Sequence, residues 1–290
     1  MKPLKIAALA LAAVLAFAGC APSEQIDGKF KIVASTNVWG DVAKAVGGDF
    51  VEVTSIIDSP KKDPHSYEAS ARDQLAVEKA NLVIANGGGY DDFIEKMAQA
   101  AGNKRMFRVA SAVTAVAWQE NEHLWYSISA VGEATYALAD TLAALDKNNS
   151  ATYLANADKF VEGLTGVAGA YGEIRKSSSG KNYFGTEKLA DWLLKDLGMV
   201  NKTPAKFTDA IENETDVAPA TMKESLDLFK SGKIDYLVVN YQTQNAQTKQ
   251  IAEAAQAAGV PIILLTEVLP EGIGYVEWMG ENASYFAPAN

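Results

Sequence analysis

The sequence contains few residues that could bind a metal through sulfur or form a disulfide. Cys20 is the one cysteine among 290 residues, and there are two histidines, His65 and His123. A single cysteine excludes a disulfide within one chain and any site built from several thiolates. A metal bound by this chain must therefore be held by nitrogen and oxygen ligands.

Positive charge is also scarce. The chain has 26 Lys and Arg against 36 Asp and Glu, so its formal net charge is −10. Affinity for nucleic acid rests on Lys and Arg contacts to phosphate, and the sequence has no basic cluster to supply them. We therefore expect no nucleic-acid partner. Apart from this argument, we expect the chain to act as a monomer.

Long hydrophobic runs are absent after the amino terminus, and the run found there has the pattern of an export signal. Lys2 and Lys5 precede thirteen apolar residues at 6–18. This length is too short to span a bilayer comfortably and is typical of the apolar region of a signal peptide.

The residues that follow this run predict a lipid anchor. Ala18-Gly19-Cys20 resembles a bacterial lipobox, in which the cysteine is lipidated and becomes the mature amino terminus. We predict a signal peptide over 1–19 and a lipidated Cys20 within a tether over 20–28. The acyl chains would hold the mature protein at the outer side of the bacterial cell membrane.

Beyond the tether, short apolar runs alternate with segments of helical spacing. Strands are predicted at 31–36, 50–57, 81–85, 106–110, 182–185, 207–211, 234–239 and 261–265. Helices are predicted at 38–46, 70–80, 91–101, 129–145, 150–176, 188–197, 218–230, 247–258 and 275–282. This alternation indicates crossover units and mostly parallel sheets.

The length of the chain and the position of its longest helical segment predict two lobes. About 270 mature residues exceed one average domain. The predicted fold is α/β, with two lobes at 29–149 and 177–290, each a mostly parallel sheet flanked by helices. A connecting helix at 150–176 joins them, although its four glycines argue against one straight helix.

Four side chains with metal-binding capacity follow predicted strands directly or in the next loop. His65 follows the second strand and His123 the fourth, while Glu187 and Glu267 follow strands of the second lobe. In open α/β sheets, ligands bind at the carboxyl ends of the strands. Two lobes facing each other by those edges would bring two imidazoles and two carboxylates into one cleft.

Seven segments of the chain carry a family resemblance. The most specific block is VTSIIDSPKKDPHSYEAS at 53–70. The other segments are IVASTNVWGDVAKAVGG (32–48), LVIANGGGYDDFIEKM (82–97), NEHLWYS (121–127), GTEKLADWLLKDLGM (185–199), GVPIILLTEVLP (259–270) and YVEWMGEN (275–282). Together they resemble the metal-binding solute-binding proteins of ABC transporters, the cluster A-I family of manganese and zinc lipoproteins.

This resemblance implies a ligand set and a partner. The first and second histidine ligands of the family fall on His65 and His123. The third ligand, a Glu in some members and a His in others, falls on Glu187, and the fourth, usually Asp, falls on Glu267. The resemblance implies capture of a divalent metal for an ABC transporter permease in the membrane, with no catalytic residue.

The chemistry of the four side chains agrees with this implication. Two neutral imidazoles and two carboxylates carry a charge of about −2, which balances a divalent cation in a partly dry cleft. Glu187 in place of a third histidine makes the site harder and favours Mn²⁺. Zn²⁺ is the second candidate, because such sites bind it more tightly than Mn²⁺.

Two alternatives remain open on the sequence alone. A metallohydrolase would use one of the carboxylates as a general base beside an open metal position. A two-lobed binding protein for an organic ligand such as a siderophore would need a cleft lined by aromatic or Arg side chains, and its histidines would not be ligands.

Overall fold

The structure is a computed structural model that describes residues 28–288 except 63, 65 and 66. The predictions for the signal peptide, for Cys20 and for nearly all of the tether therefore lie outside the described residues, as does the prediction for His65. Within the part of the chain that the structure describes, no helix is both long and apolar enough to cross a membrane.

Eight strands of the described residues form two four-stranded sheets in which all pairs are parallel. The strands are β1 (Phe30–Thr36), β2 (Val51–Ile57), β3 (Leu82–Ala85), β4 (Met106–Arg108), β5 (Asn182–Gly185), β6 (Val200–Asn201), β7 (Tyr236–Asn240) and β8 (Ile262–Leu265). The order is β2-β1-β3-β4 in the first sheet and β6-β5-β7-β8 in the second, so both sheets share one topology. The predicted α/β architecture is confirmed.

Helices connect successive strands and cover the sheets. They are α1 (Asn37–Gly47), α2 (Ala71–Lys79), α3 (Asp92–Ala100), α4 (Val109–Ala112), α5 (Ile128–Leu145), α6 (Ser150–Ser178), α7 (Asp191–Asp196), α8 (Ala205–Glu212), α9 (Pro219–Lys230), α10 (Ala246–Ala257) and α11 (Tyr275–Ser284). Most follow the predicted segments within two or three residues, which is the ordinary scatter of helix ends.

The helix between the two sheets, α6, is continuous over 29 residues, a length of about 44 Å. The interruption expected from its glycines does not occur. A methyl group at Gly166, Gly169 or Gly172 would meet no atom within 4 Å, so these glycines lie on an open face. The opposite face buries Tyr153 and Leu164, and packing against α1, α5 and α11 stabilises the helix.

The predicted strand at 207–211 is wrong, because this segment forms α8. Phe207 and Ile211 are four residues apart and both buried, a spacing that places them on one face of α8 and would equally place them on one face of a strand. The ring of Phe207 packs edge-on against Phe184 in β5, with the ring centroids 5.0 Å apart. The edge strand beside β5 is instead β6, which has two residues and is too short to leave a sequence pattern.

Three smaller corrections concern the ends of elements. The fourth strand ends at Arg108 and gives way to the helical turn α4, while α7 spans 191–196 rather than 188–197. The third correction concerns the cap of α6, for which the sequence offers Asn149 or Ser150. Asn149 stands at the N-cap position, but its side chain donates to Asp146 instead of accepting from the helix.

The largest buried apolar cluster extends through both lobes. It joins the helices α1, α5, α6 and α11 to side chains of the second sheet such as Val238 and Leu265. Hydrogen bonds also cross between the lobes, for example from the hydroxyl of Tyr126 to the carbonyl of Thr266 at 2.8 Å. The two sheets are therefore held in fixed relation, with the carboxyl ends of their strands facing one cleft.

Candidate metal centre

Three of the four predicted side chains meet at this cleft. His123 lies just before a 3₁₀ turn at Leu124–Tyr126, while Glu187 and Glu267 each lie two residues beyond the end of a strand, β5 and β8. They are 0%, 4% and 0% exposed. One ligand atom from each lies within 4.8 Å of the others, a spacing that allows one metal ion to contact all three.

The environment of His123 fixes which ring nitrogen carries the proton. Asn121 accepts from the backbone N–H of His123 through Oδ1 at 2.9 Å and donates from Nδ2 to the carbonyl of Lys188. The same Oδ1 lies 2.7 Å from Nδ1 of the imidazole, so Nδ1 must be the donor. In the neutral imidazole the lone pair is then on Nε2, the ring nitrogen that can bind a metal.

Neutral donors hold both carboxylates of the cluster. Oε2 of Glu187 accepts from Nδ2 of Asn240 at 2.7 Å, and its Oε1 accepts from the hydroxyl of Thr243. Oε1 of Glu267 accepts from the same Asn240 nitrogen at 2.6 Å, and its Oε2 accepts from the hydroxyl of Tyr90 at 2.7 Å. A carboxylate oxygen has two lone pairs, so it can accept a hydrogen bond and also bind a metal.

Tyr90 reaches across the cleft from a tight turn after β3. The turn contains Gly87, Gly88 and Gly89, all with positive φ, and Asp91 closes it by accepting from the backbone N–H of Gly87. Burial raises the pKa of Asp91 to about 6. The glycines therefore form a tight turn and place a first-lobe hydroxyl on a second-lobe carboxylate.

Aromatic rings surround the imidazole and exclude water from one side of the cluster. The ring of Trp125 lies 5.2 Å from that of His123 and 4.7 Å from that of Tyr90, measured between centroids. A cavity of about 440 Å³ lies beside Glu187, and its lining includes Glu212, Glu214 and Asp216. The cluster thus has aromatic rings beside His123 and an acidic cavity beside Glu187.

A methyl group at Gly185 would disturb the position of Glu187. The Cβ of an alanine there would lie 2.6 Å from the backbone oxygen of Glu187, and backbone atoms cannot yield as a flexible side chain can. We expect Gly185→Ala to destabilise the protein by about 1–3 kcal/mol and to weaken metal binding, measured by urea unfolding and by titration.

Gly169→Ala is the matched control for this substitution. Gly169 lies in the exposed face of α6, where a methyl group meets nothing within 4 Å, and alanine in a helix interior is favoured over glycine by about 0.5–1 kcal/mol. Equal effects of the two substitutions on stability and binding would contradict the assignment of Gly185.

The sequence did not predict the four side chains that hydrogen-bond to the clustered residues: Tyr90, Asn121, Asn240 and Thr243. A signal was present for Asn240, which is the last residue of β7 and so lies at the same sheet edge as Glu187 and Glu267. The contact of Tyr90 had no such signal, because it depends on how the two lobes face each other.

Comparison with known proteins supports the resemblance on which the ligand set was based. Residues 32–289 match the family described as zinc-uptake complex component A, periplasmic. The metal ABC transporter substrate-binding lipoprotein SsaB of Streptococcus sanguinis is 24% identical over 274 residues, covering 87% of this chain and 86% of that protein. The manganese ABC transporter substrate-binding lipoprotein scaA of Streptococcus gordonii is 23% identical over 275 residues, covering 87% and 86%.

Among solved structures, the binding protein FpvC of Pseudomonas aeruginosa in complex with Mn²⁺ has the same fold. It superposes with a TM-score of 0.74 at 20% identity and covers 88% of this chain and 96% of its own. The resemblance predicted from the sequence is confirmed. The chain belongs to the family of the periplasmic zinc-uptake complex component A, whose members are substrate-binding proteins of metal transport.

Proposed function

We propose that this protein captures a divalent transition metal in the cleft between its lobes, outside the cytoplasm, and delivers it to an ABC importer. The observation that carries the proposal is the buried cluster of His123, Glu187 and Glu267, whose ligand atoms lie within 4.8 Å of one another. His65 is the fourth ligand in this proposal, and Cys20 carries the lipid that anchors the chain. The protein acts as a monomer and catalyses no reaction.

The preferred ion in this proposal is Mn²⁺, with Zn²⁺ next. Two imidazoles and two carboxylates offer mixed nitrogen and oxygen ligation without sulfur, which suits Mn²⁺, Fe²⁺ and Zn²⁺. Carboxylates that bind through both oxygens raise the coordination number above four, which suits Mn²⁺. The relatives named for manganese support the same order.

The hydrolase and siderophore alternatives have less support. Each carboxylate is already held on both oxygens by Asn240 and either Thr243 or Tyr90, as expected of fixed ligands rather than of a mobile general base. In a siderophore-binding protein, His123 would not be a metal ligand. Its Nδ1 contacts Oδ1 of Asn121, which makes Nε2 the ring nitrogen that can bind a metal.

The test is a metal titration of the protein lacking residues 1–20, after stripping with a chelator. Calorimetry with Mn²⁺ and with Zn²⁺ should show one tight site per chain, and His65→Ala should weaken it. Competition under limiting metal then gives the preference between the two ions. Absence of binding to the wild type would contradict the proposed function, and unchanged binding by His65→Ala would contradict that ligand.

A further inference from the structure

Asn240 lies between the two carboxylates of the cluster. It ends β7, which runs between β5 and β8 in the second sheet, and it is 2% exposed. Glu187 follows β5 and Glu267 follows β8. Because parallel strands end at one edge of a sheet, the side chain at the end of the middle strand reaches the residues that follow both neighbours.

The amide nitrogen of Asn240 uses both of its hydrogens on the cluster. It donates to Glu187 at 2.7 Å and to Glu267 at 2.6 Å. A primary amide has two N–H groups, so this one side chain joins both carboxylates. Thr243 and Tyr90 also donate to these oxygens, and each of them contacts one carboxylate.

Contacts on its other atoms fix the orientation of Asn240. Its Oδ1 accepts from the backbone N–H of Gln242 at 3.0 Å, and its own backbone N–H donates to the hydroxyl of Thr186 at 3.1 Å. The nitrogen and oxygen of the amide are thereby distinguished, since only Oδ1 can accept from a backbone N–H. The amide nitrogen must therefore face the carboxylates.

Two buried carboxylates at this spacing repel each other, and a bridging donor must offset that repulsion if both are to stay in place. A lysine or arginine would do so by cancelling charge. An amide does so without adding charge, so the pair keeps the negative charge that a divalent cation needs for balance.

We propose that Asn240 is a positioning residue of the metal site, whose amide sets the separation and orientation of the two carboxylates before the ion arrives. This inference rests on the proposed function. Removal of a partner that orients metal ligands commonly costs about 10–100-fold in affinity. We expect Asn240→Ala to raise the Kd for Mn²⁺ by that factor.

The experiment compares wild type, Asn240→Ala and Asn282→Ala, each lacking residues 1–20 and each shown to be folded by circular dichroism. Asn282 is a matched control, because it is a buried asparagine in α11, outside the cluster. Mn²⁺ affinity is measured by calorimetry, and the electron paramagnetic resonance spectrum of bound Mn²⁺ reports the ligand geometry. Asn240→Ala should alter both, and Asn282→Ala should alter neither.

The outcomes separate this inference from the proposed function. Failure of the wild type to bind metal overturns both. If the wild type binds Mn²⁺ and Asn240→Ala binds within about twofold of it, the role of Asn240 is overturned and the function stands. An equal loss in Asn282→Ala would likewise overturn it, since the effect would come from general loosening. If Asn240→Ala does not fold, Asn240→Ser takes its place, because one hydroxyl cannot donate to both carboxylates.

Discussion

Glu187→Gln should raise the Kd for Mn²⁺ by more than about 100-fold. Removal of a residue that only orients metal ligands lowers metal affinity by at most about 100-fold, and loss of a ligand should lower it further. The substitution keeps the size of the side chain but removes one charge and replaces one candidate ligand oxygen by an amide nitrogen. Glu187 is 4% exposed, so water cannot easily replace the lost oxygen. Calorimetric titration of the metal-free protein measures the change.

Glu214→Gln is the matched control. Glu214 lines the same cavity beside Glu187, is exposed, and carries the same charge, but it is not one of the three clustered residues. Its removal changes the net charge by the same amount, so we expect an affinity close to that of the wild type. Similar losses in the two variants would mean that overall negative charge, rather than ligation by Glu187, attracts the ion.

Saturating Mn²⁺ should raise the Tm of the metal-free protein by about 8–16 °C. A ligand at 1,000 times its Kd that binds only the folded state adds about 4.1 kcal/mol to the free energy of unfolding. For a domain of this size, each kcal/mol shifts the Tm by about 2–4 °C. Calorimetric scans with and without metal measure the difference.

Two comparisons show whether the increase in Tm comes from an ion bound by the cluster. Glu267→Gln removes a charge from a carboxylate that is 0% exposed and should abolish most of the increase. Ca²⁺, which prefers six to eight oxygen ligands, should give little increase with the wild type. A shift in Glu267→Gln equal to that of the wild type would place the stabilising ion somewhere else.

The parts of the fold that could be predicted were those in which a periodic pattern extends over a whole element. The run at 31–36 is a buried strand in a parallel sheet, and its apolar residues are continuous because both faces are covered. The segment at 207–211 could not be assigned in this way, since two large apolar residues in five fit a strand or one turn of helix. Packing of Phe207 against Phe184 decided between them.

Two residues of the candidate site could be predicted from their places after strands, and the residue that lies between them could not. Glu187 and Glu267 could be chosen because each follows a strand by two residues, and an edge of parallel strands gathers such residues. Asn240 occupies an equivalent place, but a neutral amide at the end of a strand has no distinctive chemistry until its neighbours are known. Those neighbours depend on the pairing of β7 with β5 and β8, which no local pattern reveals.

Because the largest apolar cluster runs through both lobes, a wide opening of the cleft would expose rings that now lie between them. Tyr126 and Trp278 are among these rings, with centroids 5.4 Å apart. Each fully buried side chain of this size contributes about 1.5–3 kcal/mol. The free-energy cost of exposing three such side chains would be a large part of a typical free energy of unfolding, which is about 5–15 kcal/mol. Thermal motion alone would then rarely open the cleft widely, and we expect uptake and release of the ion to involve only a small motion of the two lobes.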